Sequence, residues 1–226
     1  MTGLAVTGRG ADRRTAGPAV AALVYVAAWV SGLVIGPASL DVTAPGTAVV
    51  RTYAGQQGAV IAQVVLTQGV AGVALVVVVL ALGQAARGRG TAKMATRIEV
   101  SGLAAAVLSL AQCAFGVLLA GWVAAGGDSS RAGSLFQFIS RIDGGKMLLL
   151  VVLAASGMAL ARQAGVLPHR VVFSRMVPTA ALAGGGFGYL LLSPALAWMT
   201  LVSLPLMLIW VPGMGLWLSL GRPLAR

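Results

Sequence analysis

Residues 59–83 read AVIAQVVLTQGVAGVALVVVVLALG, and that run decides the fold. From Ala59 to Gly83 there is no charged side chain. At helical rise the run reaches about 37 Å, more than the roughly 30 Å of hydrocarbon in a bilayer. A helix apolar on every side must be surrounded by apolar matter. The remainder of a 226-residue chain is too small to wrap several such helices, so lipid is the natural solvent.

Working outward, five further apolar segments have the same character. The six expected spans are Pro18–Gly36, Ala59–Gly83, Ile98–Ala125, Gly145–Ala164, Val177–Leu192 and Ala195–Leu220. They predict an all-α, polytopic membrane bundle of six transmembrane helices (residues 18–221) between a 17-residue N-terminal tail and a C-terminal tail at 222–226. Composition agrees: 9% of residues are charged and 58% hydrophobic, against about 25% charged in a soluble domain. The segment Val177–Leu192 is the shortest, about 24 Å long, and contains Gly184, Gly185, Gly186 and Gly188. A re-entrant fifth segment is the rival, but it would leave Arg222 and Arg226 on the outside.

The basic residues set the expected orientation. Arg9, Arg13 and Arg14 lie in the first tail, and Arg87, Arg89, Lys93 and Arg97 between spans two and three. Arg162, Arg170 and Arg175 lie between spans four and five, and Arg222 and Arg226 follow span six. The opposite side holds only Arg51, Arg131, Arg141 and Lys146. Positive loops stay inside, so both termini are expected in the cytoplasm. Arg13 and Arg14 precede an apolar run longer than a signal-peptide core and without a convincing cleavage site, so the first span is expected to be retained. Arginine far outnumbers lysine and asparagine is absent, a skew that high-GC coding produces. The expected location is therefore the cytoplasmic (inner) membrane of a bacterium.

Two outer loops carry amphipathic segments. Leu135, Phe138, Ile139 and Ile142 share a helical face, as do Val49, Val50 and Tyr53. Each is expected to lie as a short interfacial helix in the headgroup region.

The net charge of +11 does not point to nucleic acid. The basic residues sit in short clusters between apolar spans instead of on one soluble face. One cysteine (Cys113) and one histidine (His169) give no zinc set and no haem pair. No phosphate loop, His-Glu-x-x-His or Gly-x-Ser-x-Gly is present. No cofactor and no catalysis are expected.

Polar side chains inside the spans are costly and therefore informative. Gln63, Gln68 and Gln112 fall within spans two and three, with Thr67, Ser109 and Cys113 at helical spacing. Two readings stand: hydrogen bonds that link helices, or a polar vestibule open to the outside and joined by Thr200 and Ser203. In Ser140-Arg141-Ile142-Asp143-Gly144-Gly145-Lys146, Ser140 and Asp143 have capping-box spacing, and Asp143 and Lys146 stand three apart. Here the readings are a helix cap with a snorkelling lysine, or an outward-facing charged site. Glu99 is expected at a cytoplasmic helix start, near Arg97 and Lys93, as an interface anchor or a proton-relay carboxylate.

From Ser140–Lys146 through Met147–Leu167 and the glycine-rich fifth span, the chain resembles a broad group of bacterial multipass membrane proteins, a domain of unknown function. The shared features are an apolar first helix, an outer helix bearing a tyrosine (Tyr53 here) and an Asp-x-x-Lys start to a central helix. The resemblance implies the fold and no activity. The expected function is that of a non-catalytic membrane component that binds lipid, a membrane-protein partner or a second copy of itself. The alternative is a small-solute or proton-coupled transporter using Gln63, Gln68, Gln112, Asp143 and Lys146.

Overall fold

The computed structural model describes residues 16–37, 39–165 and 173–220. The two tails and residues 166–172, and with them Arg9, Arg13, Arg14, His169, Arg170, Arg222 and Arg226, lie outside the described residues. In chain order the helices are α1 (Gly17–Ile35), α2 (Gly46–Gly55), α3 (Gln57–Val64), α4 (Ala71–Arg87), α5 (Ala92–Leu118), α6 (Ser129–Gln163), α7 (Phe173–Leu190), α8 (Pro194–Ala197) and α9 (Thr200–Leu220). A π-helical turn, Val65–Val70, joins α3 to α4, and a second, Leu119–Ala124, extends α5. No strand occurs among the described residues.

Five stretches are long and apolar enough to cross a membrane: Gly17–Ile35, Gln57–Arg87, Ala92–Ala124, Ser129–Gln163 and Pro194–Leu220. The fifth segment of the sequence reading, α7, has 18 residues and is not among them. It packs against α6 through glycine. A Cβ on Gly144 would stand 2.6 Å from the Gly186 carbonyl oxygen and 2.7 Å from the Leu190 nitrogen. Only hydrogen fits between backbones at that distance. Gly188 in turn meets the backbone of α8 at Leu196 and Ala197. The glycines of α7 thus let it nest between α6 and α8.

One element differs from expectation. The amphipathic segment around Leu135–Ile142 and the fourth span, expected as an interfacial helix followed by Gly145–Ala164, are one continuous 35-residue helix, α6. At about 52 Å it is no longer a marginal span. Nothing between Ser129 and Gln163 forces a break: there is no proline, and Gly144 is held against α7. The capping role expected of Ser140 and Asp143 therefore falls elsewhere. Asp128 caps the helix, its Oδ1 accepting from the Arg131 amide at 3.0 Å. Ser140 lies mid-helix and donates to the Phe136 carbonyl at 3.0 Å.

α2 forms over Val49, Val50 and Tyr53 as the pattern predicts, and packs onto the first turns of α6. Val49, Ala44, Leu119 and Ala132 make a small core there. Tyr53 meets Phe136 edge to face at 6.3 Å between ring centroids. Such pairs contribute about 0.5–1.5 kcal/mol beyond area. Gly46 backs directly on Ser129, so α2 lies tightly across the start of α6.

The main core lies toward the other end of the bundle. Leu75, Val78, Val79, Leu82, Ile98, Ala105, Leu150, Leu153, Leu160 and Val211 are all buried there. α1 closes this end against α9, where Gly215 abuts Ala22 and Pro18, and the Ala19 amide donates to Ser219 Oγ at 3.0 Å. Pro205 and Pro212 both lie within α9. Gly32 of α1 and Gly36, which ends it, are packing glycines, seated on Thr67 and Gln63.

Candidate functional site

Lys146 is residue 18 of the 35 in α6, its midpoint. Its side chain is 7% exposed, so it does not snorkel to either end. An ammonium in that place must find its acceptors inside the protein. It finds three. Lys146 Nζ donates to Gln68 Oε1 at 2.8 Å, to Gln112 Oε1 at 2.7 Å and to Asp143 Oδ1 at 2.5 Å. A lysine has three N–H donors, and all are used.

Gln112, buried on α5, completes the network. Its Nε2 donates to Asp143 Oδ1 at 3.0 Å and to the Ile139 carbonyl at 3.3 Å. Asp143 and Lys146 sit one turn apart on α6, where side chains share a face. Gln68 comes from the π-helical turn Val65–Val70. A single extra residue in a helix rotates the downstream side chains by about 100°, and π-turns are frequent at functional sites. Thr67 steadies this turn, donating to the Gln63 carbonyl at 2.8 Å.

Gln68, Gln112 and Asp143 form the floor of a cavity of about 430 Å³, and Lys146 is held beneath them. Trp29, Tyr53, Phe136, Tyr189 and Trp198 supply aromatic wall, and Gln63 and Thr67 add polar edge. Pro37, Ser39, Leu40 and Val42, which follow α1, line it as well. There Asp41 accepts from the Thr43 hydroxyl and amide at 2.6 and 2.8 Å, which hold its carboxyl below the ordinary value. Burial under α6 pushes the Tyr53 phenol up to about 12, so it stays protonated at neutral pH.

Two groups of the floor are unused. Asp143 takes both its contacts on Oδ1, leaving Oδ2 without a partner among the described residues. Gln68 accepts through Oε1, leaving its amide N–H groups free in the same sense. Both residues line the cavity. The floor therefore presents one acceptor and one donor group to whatever enters, at zero net charge.

Glu99 stands apart from this cluster. It lies two turns inside α5, which begins at Ala92, so it is not at a helix start as expected. Its carboxylate takes a two-pronged contact from Arg87 of α4, one arm at 2.5 Å, and not from Arg97 or Lys93. The reason is local: Gly83 leaves room for the Glu99 carboxylate against α4. Nearby, Arg89 stacks over Trp217 at 5.2 Å and donates to the Ala85 carbonyl at 2.9 Å. This end is a clamp of helix termini.

Of the predicted residues, the structure brings Gln68, Gln112, Asp143 and Lys146 into one hydrogen-bonded unit, with Gln63 at the cavity edge. Thr200 lines the cavity, whereas Ser203 is buried and donates to the Thr200 carbonyl at 3.3 Å. Cys113 is half-buried against Gly69. The aromatic wall carries no motif in the sequence. Only Tyr53 and Phe136 lie on segments with a signal there, the amphipathic stretches that form α2 and the start of α6.

Fold and site together define a helical membrane protein with a polar-floored, aromatic-walled cavity near one end of its bundle. Comparison with family models, curated proteins and solved structures finds no match to this chain.

Proposed function

We propose that this chain is a non-catalytic inner-membrane protein that binds a small amphiphile in the cavity above Lys146. In this reading all six apolar segments cross, α7 included, both termini are cytoplasmic, and the cavity opens toward the periplasmic side. The distribution of basic residues supports the orientation. The Arg87–Glu99 and Arg89–Trp217 contacts then lie at the cytoplasmic face, where α4 ends in Arg87.

The observation that carries the binding reading is asymmetry of packing. One side of the quartet holds a cavity of about 430 Å³, within the size range of small-molecule sites. On its other side stand Leu75, Val78, Val79, Ala105, Leu150 and Leu153, all buried. A one-ended chamber suits a receptor or membrane component. The transporter reading needs an aqueous path through that apolar layer.

Cysteine accessibility in a Cys113→Ser background tests it. Ser39→Cys and Gln63→Cys should react with a membrane-impermeant maleimide added from the periplasmic side. Leu75→Cys, Ala105→Cys and Leu153→Cys should stay unlabelled from both sides. Labelling of these three from the cytoplasmic side would replace the receptor reading with the transporter.

A further inference from the structure

The charges of the floor restrict what the cavity takes. Lys146 and Asp143 are each other's counter-ion at 2.5 Å, and no further ionised side chain among the described residues lines the cavity. An entering ion would leave the chamber with one uncompensated charge in surroundings of aromatic and aliphatic side chains, which is strongly disfavoured. Lys146 has no donor left for an anion. An ammonium would have to share Asp143 with Lys146, already in contact. A neutral hydroxyl meets neither penalty. It donates to Asp143 Oδ2 and accepts from the Gln68 amide, the two groups that the quartet leaves free.

The way in is lateral. Leu33 of α1 and Leu201 of α9 line the cavity, and both also belong to the exposed apolar surface, Leu201 at 76%. So does Trp198, which precedes α9. The close contacts between α1 and α9 at Gly215 and Ser219 are at the far end. An acyl chain passing between Leu33 and Leu201 would remain in lipid while its head reaches the floor.

We infer that the cavity binds the neutral, hydroxyl-bearing head of a membrane lipid, entering from the surrounding leaflet between α1 and α9. This rests on the binding role proposed above and adds the class of ligand. Trp29 and Trp198 in the wall give a direct readout. The full chain is placed in phosphatidylcholine nanodiscs, and tryptophan quenching is followed against three chain-brominated probes. These are diacylglycerol, the matching phosphatidic acid and a bromoalkyl trimethylammonium.

Diacylglycerol should quench saturably, at a mole fraction at least tenfold below the two charged probes. That saturable part should vanish in a Trp29→Phe/Trp198→Phe double variant, and free glycerol added from water should not displace it. Equal saturable quenching by all three probes would overturn the head-group class and leave the binding role standing. Displacement by glycerol would overturn the lipid as ligand, because the head alone would then suffice. Absence of saturable quenching by any probe, or its persistence in the double variant, would overturn both.

Discussion

Replacing Lys146 by methionine keeps most of the side-chain volume and deletes one charge with three hydrogen bonds. What remains is the Asp143 carboxylate held by Gln112 Nε2 alone, and Gln68 and Gln112 oxygens with their donor removed. Removing one partner of a buried ion pair costs roughly 3–5 kcal/mol, because the other charge is stranded. The Asp143 side chain keeps 21% of its exposure, so the low end, about 3 kcal/mol, applies. Adding Asp143→Asn removes the stranded charge and supplies an amide that can pair with Gln112. The double variant should therefore lose no more than about 1 kcal/mol, which makes the coupling between the sites at least about 2 kcal/mol. Reversible unfolding in mixed micelles of the wild type, both single variants and the double variant gives the cycle. If Lys146→Met alone costs under about 1 kcal/mol, or the two losses simply add, the ion pair is not the organising contact of the bundle.

Gly144→Ala places a methyl group 2.6 Å from the Gly186 carbonyl oxygen, where backbone cannot yield. It should cost about 1–3 kcal/mol in the same unfolding assay, while Gly55→Ala, in open space, should be silent. Glu99→Gln breaks a pair whose arginine is 55% exposed; the loss should stay below about 1 kcal/mol and shrink as salt is raised. Phe136→Ala removes the ring on which Tyr53 rests and should free α2, read as faster hydrogen exchange over Gly46–Gly55 with little change in α4 and α5. Alkaline phosphatase fused after Arg226 should be inactive, and inserted in the turn at Gly126–Gly127 it should be active, if the orientation is as proposed.

The apolar stretches were legible because length and uninterrupted hydrophobicity alone separate a span from a soluble helix. Gln68, Gln112, Asp143 and Lys146 were legible one by one, since each is expensive in hydrocarbon. Their meeting was not. It depends on the rotation that the Val65–Val70 turn gives Gln68, and π-turns leave no reliable trace in residue order. It depends also on α6 running unbroken through Ser140 and Gly145. Helical periodicity in residues 135–142 looks the same whether a segment lies flat in the headgroups or continues a span. Ser140 and Asp143 imitate a cap, and only the contact of Gly144 with α7 shows why the helix continues. Glu99 departs from its expected arginine for a similar reason. Arg97 is its neighbour in sequence, but Arg87 is its neighbour across the α4–α5 hairpin.

The position of Lys146 bears on how the chain is made. A lysine within an inserting helix is costly in the translocation machinery, by up to roughly 2.5–3.5 kcal/mol where it reaches the centre. Two features lower that barrier, and both stem from residue order. Asp143 travels on the same helix, one turn away, so the segment enters as a neutral pair. By the time it emerges from the ribosome, the helices bearing Gln68 and Gln112 have already been synthesised. The acceptors wait in the bilayer before the donor arrives, and a chain reordered to deliver α6 first would have to cross with its ammonium half satisfied.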